Sequence, residues 1–220
     1  MAILSRRQLW TGEDFGHNGQ MSGVDLYWLP LGAGGSYVRL NGRIFEMVEA
    51  VIDRRRTLDI YHAALEVHLP EGEFVIEIAP VPDSDGSRRG VVASAPVGSS
   101  LAGRFRIFRY ELRCWEDGSI PDIDEAVDSP APVTAEEETA RRLVGLLPSV
   151  PMAVWGRDEL DAGEMWTSNS VISWLIVRAG LAIDDFPPPA GGRAPGWDAG
   201  IVVAGRATEA ETAGGPRDRR

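Results

Sequence analysis

Lysine is missing from this chain: all 22 basic residues are arginine. That removes the P-loop lysine, the Schiff-base lysine and the lysine general base from the chemistry on offer. Arginine-only usage matches codon bias in a GC-rich genome and carries no functional reading. Cysteine is almost missing too. Cys114 stands alone, which excludes an intrachain disulfide and a cysteine-built zinc cluster. Histidine is confined to His17, His62 and His68. On one strand, His62 and His68 would stand roughly 20 Å apart at ~3.3 Å per residue, too far to share an ion. No metal and no cofactor is expected.

Positive charge is in deficit. Thirty-three acidic residues face 22 basic ones, for a net charge of -11. A nucleic-acid-binding surface and an acidic membrane surface are both disfavoured, because each needs a basic field. No apolar run approaches the ~18 residues of a membrane-spanning helix. The opening MAILSRRQLW lacks the apolar core of a secretory signal. These absences point to a cytoplasmic location.

The rest of the composition, 44% hydrophobic and 25% charged, is that of a globular domain. The length fits one domain with a well-buried core. The expected division is a loose segment over 1–22, one α+β domain over 23–204, and a disordered polar tail over 205–220.

Alternation and turn residues predict strands at Val24–Leu29, Leu58–Leu69, Phe74–Val81, Gly90–Ser94 and Arg104–Trp115, with the second and third forming a hairpin. LGAGGSY, from Leu31, reads as a turn and not a phosphate loop, since no Gly-Lys-Ser/Thr follows. Residues 82–89 and 116–132 read as polar loops. Helical spacing covers 43–55. Thr134 opens a helix with Glu137 in capping-box position. A third helix over Ser170–Ala179, apolar nearly all round, is predicted to be buried and closed by Gly180. IVVA at 201–204 reads as a last strand.

Three residues with nucleophile, base and orienter chemistry fall on these elements. Ser170 opens the buried helix, where backbone N–H groups and the helix dipole can stabilise an oxyanion. His62 lies in an apolar strand. Glu77 lies in the partner strand between Ile76 and Ile78. Pairing Ala64 with about Ala79 would set Glu77 opposite Glu66, on the face of His62. Each has a plainer reading: Ser168, Asn169 and Ser170 are all cap-type residues, His62 suits a buried structural histidine, and Glu77 suits a solvated sheet face. Should the helix begin earlier, Ser168 replaces Ser170 as the hydroxyl at its start.

His62 in YHAALEV, Glu77 in FVIEIAP and Asn169-Ser170 in MWTSNSVISWL follow one another on strand, strand and helix. That order resembles the circularly permuted papain-like superfamily, which includes lecithin–retinol acyltransferase relatives and bacterial amidases. The resemblance covers roughly residues 58–180. It implies an antiparallel sheet packed against a buried helix, and acyl transfer with Ser170 as nucleophile, His62 as base and Glu77 as orienter. It also implies an amide or ester of a small molecule or peptide as substrate, with Asn169 beside the nucleophile. Trp155, Trp166 and Trp197 flank the site in sequence and suit an apolar substrate pocket, although core packing is the more frequent fate of tryptophan. Ser170 stands where the family has cysteine, and Ala63-Ala64 follows His62 where many relatives carry glycine. A catalytically silent binding or scaffolding module of the same fold is therefore the second expectation.

Overall fold

The computed structural model of the protein describes residues 22–31, 59–80, 90–105, 108–120 and 122–213. The helix expected over 43–55, the LGAGGSY turn, the loop at 82–89 and most of the N-terminal segment lie outside the described residues.

Seven strands form a predominantly antiparallel sheet: β1 (Gly23–Pro30), β2 (Asp59–Leu69), β3 (Gly72–Pro80), β4 (Val91–Pro96), β5 (Arg109–Glu116), β6 (Val127–Thr134) and the short β7 (Gly192–Arg193). Six of them run in the order β4-β5-β3-β2-β1-β6, and β7 adds in parallel to the start of β2. Among the described residues three helices accompany them: α1 (Glu137–Leu146), α2 (Ser168–Arg178) and α3 (Trp197–Ala213).

The layering follows from alternation in β2. Tyr61, Ala63, Leu65, Val67 and Leu69 are all buried in the main core, together with Ile172, Leu175 and Ile176 of α2. Full burial of such aliphatic side chains contributes roughly 1.5–3 kcal/mol each. The even-numbered positions of β2 point the other way. There Ala64 joins a smaller cluster with Tyr27, Leu29, Val75 and Ile120. Among the described residues the helices cover one face of the sheet, and the other carries a minor apolar cluster.

The β2–β3 hairpin turns at Pro70 and Glu71, with Leu69 opposite Gly72 and Leu65 opposite Ile76. This tight turn displaces the expected pairing by two residues, so Glu66 faces Val75 and not Glu77. A two-residue offset leaves every side chain on its expected face. Pairing stops at Leu65–Ile76. Beyond it β3 continues along β5 as far as Pro80, while β2 runs on beside β1. The sheet therefore forks between β2 and β3.

Several expected elements differ. Residues 127–134 form β6 and pair with β1, although 127–132 are expected as loop and Thr134 as a helix start. Thr134 ends that strand, and α1 starts at Glu137 with Glu136 at its N-cap. The capping box fails because Thr134 lies two residues before the N-cap, and its Oγ1 accepts from Glu136 N–H at 3.1 Å. The long strand expected from Arg104 begins at Arg109. IVVA at 201–204 is helical, and residues 205–213, expected as disordered tail, continue that helix as α3. Tertiary contacts override the polar composition there. Ala199 and Ala204 are buried, Arg206 donates to the carbonyls of Leu160 and Asp161 at 2.8 Å, and Arg178 pairs with Glu211 at 2.6 Å. None of the described helices is long and apolar enough to cross a membrane.

Candidate functional site

The run Thr167-Ser168-Asn169-Ser170 offers four residues that all favour helix starts, and the fold gives each a separate task. Thr167 is the N-cap. Its Oγ1 accepts from Asn169 N–H at 3.2 Å and donates to the Pro195 carbonyl at 2.7 Å. Ser170 completes a reciprocal capping box by accepting from Thr167 N–H at 2.9 Å. The Ser170 hydroxyl donates to the Gly196 carbonyl at 2.7 Å and is 0% exposed. The helix thus begins two residues before the predicted start, and Ser168 is its first residue.

Asn169 closes the fork. Its Oδ1 accepts from Ala63 N–H at 2.8 Å, and its Nδ2 donates to the Tyr61 carbonyl at 3.0 Å and the Pro195 carbonyl at 3.0 Å. These are the β2 backbone groups that β3 would have satisfied had the strands stayed together. One carboxamide supplies the donor and acceptor of a missing strand, so these buried backbone groups are not left unpaired.

Glycines set how closely the next segment approaches. Gly196 has φ +86°, and a Cβ there would stand 2.6 Å from Ser170 Oγ and 2.8 Å from the Met165 carbonyl. A Cβ on Gly200 would collide with Ser170 O and Ser173 Oγ. Only glycine meets both the conformation and the spacing at 196.

A cavity of about 310 Å³ lies at the fork. Ile60, Tyr61 and His62 of β2 line it, as do Trp155, Met165 and residues Thr167–Asn169. Trp155 is fixed by its backbone, which accepts from Gly98 N–H at 2.9 Å and donates to the Pro96 carbonyl at 3.0 Å. Its ring meets Tyr110 edge-on at 4.9 Å.

Ser168 and His62 are two of the polar side chains in this lining. Ser168 is 5% exposed and its Oγ makes no hydrogen bond among the described residues. The His62 ring likewise makes none among them. Burial pushes its imidazole down to about 4, against the opposing pull of the Asp122 carboxylate. The ring is therefore neutral at pH 7, with one donor and one acceptor nitrogen.

The predicted triad residues take up separate positions. Ser170 is turned into the contact with Gly196, under α2. His62 borders the cavity from β2, although alternation sets its Cβ on the face away from α2. Glu77 lies past the fork on that same face, opposite Arg113 in β5. Arg113 NH1 stands 3.8 Å from Glu77 Oε1, and its Nε and NH2 donate to Glu111 Oε2 at 3.1 and 2.9 Å. Among the described residues no hydrogen bond joins His62 to Ser170 or to Glu77. Of the expected binding residues, Asn169 and Trp155 line the cavity. Trp166 is 1% exposed in the core, and Trp197 packs on Trp28 at 4.8 Å. Neither lines it.

Sequence reasoning missed Tyr61, Met165 and Pro195 as lining residues, and Asp122 as the charge acting on His62. The run of cap-type residues was the usable signal for Thr167. Asp122 is distant in sequence and left none. Among the described residues no group of three or more His, Cys, Asp and Glu side chains could hold a metal ion. No family model, no curated protein and no solved structure matches this chain.

Proposed function

We propose that the protein is a binding module whose fork cavity takes the acyl portion of a small molecule or peptide. The observation that carries this reading is the lining. A half-open, mainly apolar cleft is lined by polar side chains, Ser168 and His62 among them, that make no hydrogen bond among the described residues, which is the pattern of a small-molecule site. The proposed fold relationship is the permuted papain-like one. Its support is the chain order of a histidine on a strand and a hydroxyl at the start of a buried helix, bordering one cavity.

The binding reading is tested by filling the space. Met165→Trp is expected to abolish binding of N-acyl and O-acyl compounds, detected by saturation-transfer NMR, with the near-ultraviolet spectrum otherwise preserved. Equal binding by the filled variant sinks the reading.

A second reading, acyl transfer to water or another acceptor, is favoured by one observation: Ser168 sits in the first turn of α2 with its hydroxyl unengaged. In that mechanism Ser168 Oγ attacks the acyl carbon as His62 takes its proton, and N–H groups of the helix start hold the oxyanion. Collapse breaks the bond to the amine or alcohol, which leaves with the proton from His62, and water or another acceptor then cleaves the acyl-serine and restores the Ser168 hydroxyl. The low basicity of His62 weighs against it, because a proton moved onto that ring must be held in a poorly solvated place. A fluorophosphonate that labels wild type but not Ser168→Ala would establish the enzyme. Absence of labelling leaves the binding module.

A further inference from the structure

We propose that the fork cavity selects neutral carboxamides bearing an apolar acyl chain and rejects the corresponding carboxylates. This rests on the binding reading above and names its ligand class.

The polar groups that remain available define the ligand. Thr167 Oγ1 is committed to Pro195 and Asn169, and the Asn169 carboxamide is committed to Tyr61, Ala63 and Pro195. That leaves Ser168 and His62, together with the Tyr61 hydroxyl and the Trp155 indole N–H; the first two are assigned to the amide. Ser168 is more than nine-tenths buried, borders the cavity, and has an unengaged hydroxyl. Its backbone N–H belongs to the first turn of an 11-residue helix, where N–H groups have no intrahelical acceptor. Both donors suit a carbonyl oxygen. His62 lines the same space from β2, and in this proposal its neutral ring turns an acceptor nitrogen to the amide N–H. An amide uses both; an ester leaves the His62 acceptor without a donor.

Charge decides against the carboxylate. Among the described residues no arginine lines the cavity. A helix N-terminus favours an anion by roughly 0.3–1 kcal/mol. Stripping an ionised carboxylate of water without a paired cation costs several times that. The chain's net charge of -11 adds long-range repulsion of anions. The apolar chain would lie against Ile60, Trp155 and Met165, which supply area without charge.

The test is an NMR titration of the Trp155 indole N–H at pH 7.5 with N-methylhexanamide and with sodium hexanoate. The amide is expected to shift that resonance with a Kd at least tenfold below that of hexanoate. Ser168→Ala is expected to weaken the amide at least fivefold while leaving the fold signals in place. Hexanoate binding as tightly as the amide overturns the neutral-ligand inference and leaves the cavity reading standing. If neither compound shifts Trp155, the cavity reading fails and takes this inference with it. If the amide binds equally well to Ser168→Ala, the assignment of Ser168 as its carbonyl donor is overturned.

Discussion

The two faces of the sheet are held by different means. On the helix-covered face, order comes from close fit: glycines at 196 and 200 against serines at 170 and 173, one carboxamide replacing a strand, and a large apolar core. On the opposite face a small apolar cluster is bordered by ionisable side chains. Tyr27 donates to Glu66 at 2.8 Å, His68 meets Asp25 at 3.2 Å, and buried Arg113 gathers Glu77 and Glu111. The first face is sensitive to volume and the second to protonation. The cavity lies where the two meet, at the fork, and takes Ser168 from one and His62 from the other.

The sharpest way to break the helix face is to add one carbon. Gly196→Ala introduces a methyl group against Ser170 Oγ and the Met165 carbonyl at a backbone angle that favours glycine. A loss of about 3–4 kcal/mol is expected, combining overpacking with the left-handed penalty, read as a fall in the urea midpoint. An unchanged midpoint would mean that the segment from Met165 to Ser170 yields freely.

The opposite face should respond to pH through His62. Its folded value of about 4 lies below the ordinary 6.5, so the folded state takes up the proton less readily than the unfolded one. The stability linked to neutral His62 is complete above pH 6.5 and is lost as pH falls towards 4. The full shift corresponds to about 3 kcal/mol. Parallel stability curves for wild type and His62→Gln between pH 7 and 4 would contradict this; convergence as pH falls is expected.

Asn169→Ala leaves Ala63 N–H and the Tyr61 carbonyl without their buried partner, at an expected loss of about 2–3 kcal/mol. Amide exchange at Ala63 should accelerate with it, and protection equal to wild type there would argue that another group closes the fork. The smallest effect is a contrast between two hydroxyls. Ser170→Ala should cost about 1–2 kcal/mol as a lost cap, whereas Ser168→Ala should stay within about 0.5 kcal/mol. Equal losses would erase the distinction between the structural serine and the available one.

How much of this was legible in the sequence depended on how local the determinant was. Alternation in DIYHAALEVHL and the turn at Pro70 gave β2 and the hairpin. The apolar run VISWLIV and Gly180 gave the buried helix and its end. The α+β class followed from these. The two-residue register offset was set by turn geometry, which several turn types could have satisfied. α3 was hidden because its determinants are distant: Arg206 reaches carbonyls at 160 and 161, and Arg178 reaches Glu211. At the site, cap chemistry identified Ser168, Asn169 and Ser170 but not which of the two hydroxyls would be consumed. That choice was made by Gly196, 26 residues beyond Ser170.

The glycines at 196 and 200 act on a cavity to which α3 contributes no lining side chain. They are spacers: the thickness of backbone alone sets how near one helix may come to the next, and so where the rim formed by Thr167 and Ser168 stands. The dimensions of the recess are therefore written partly in residues that have no side chain to offer it.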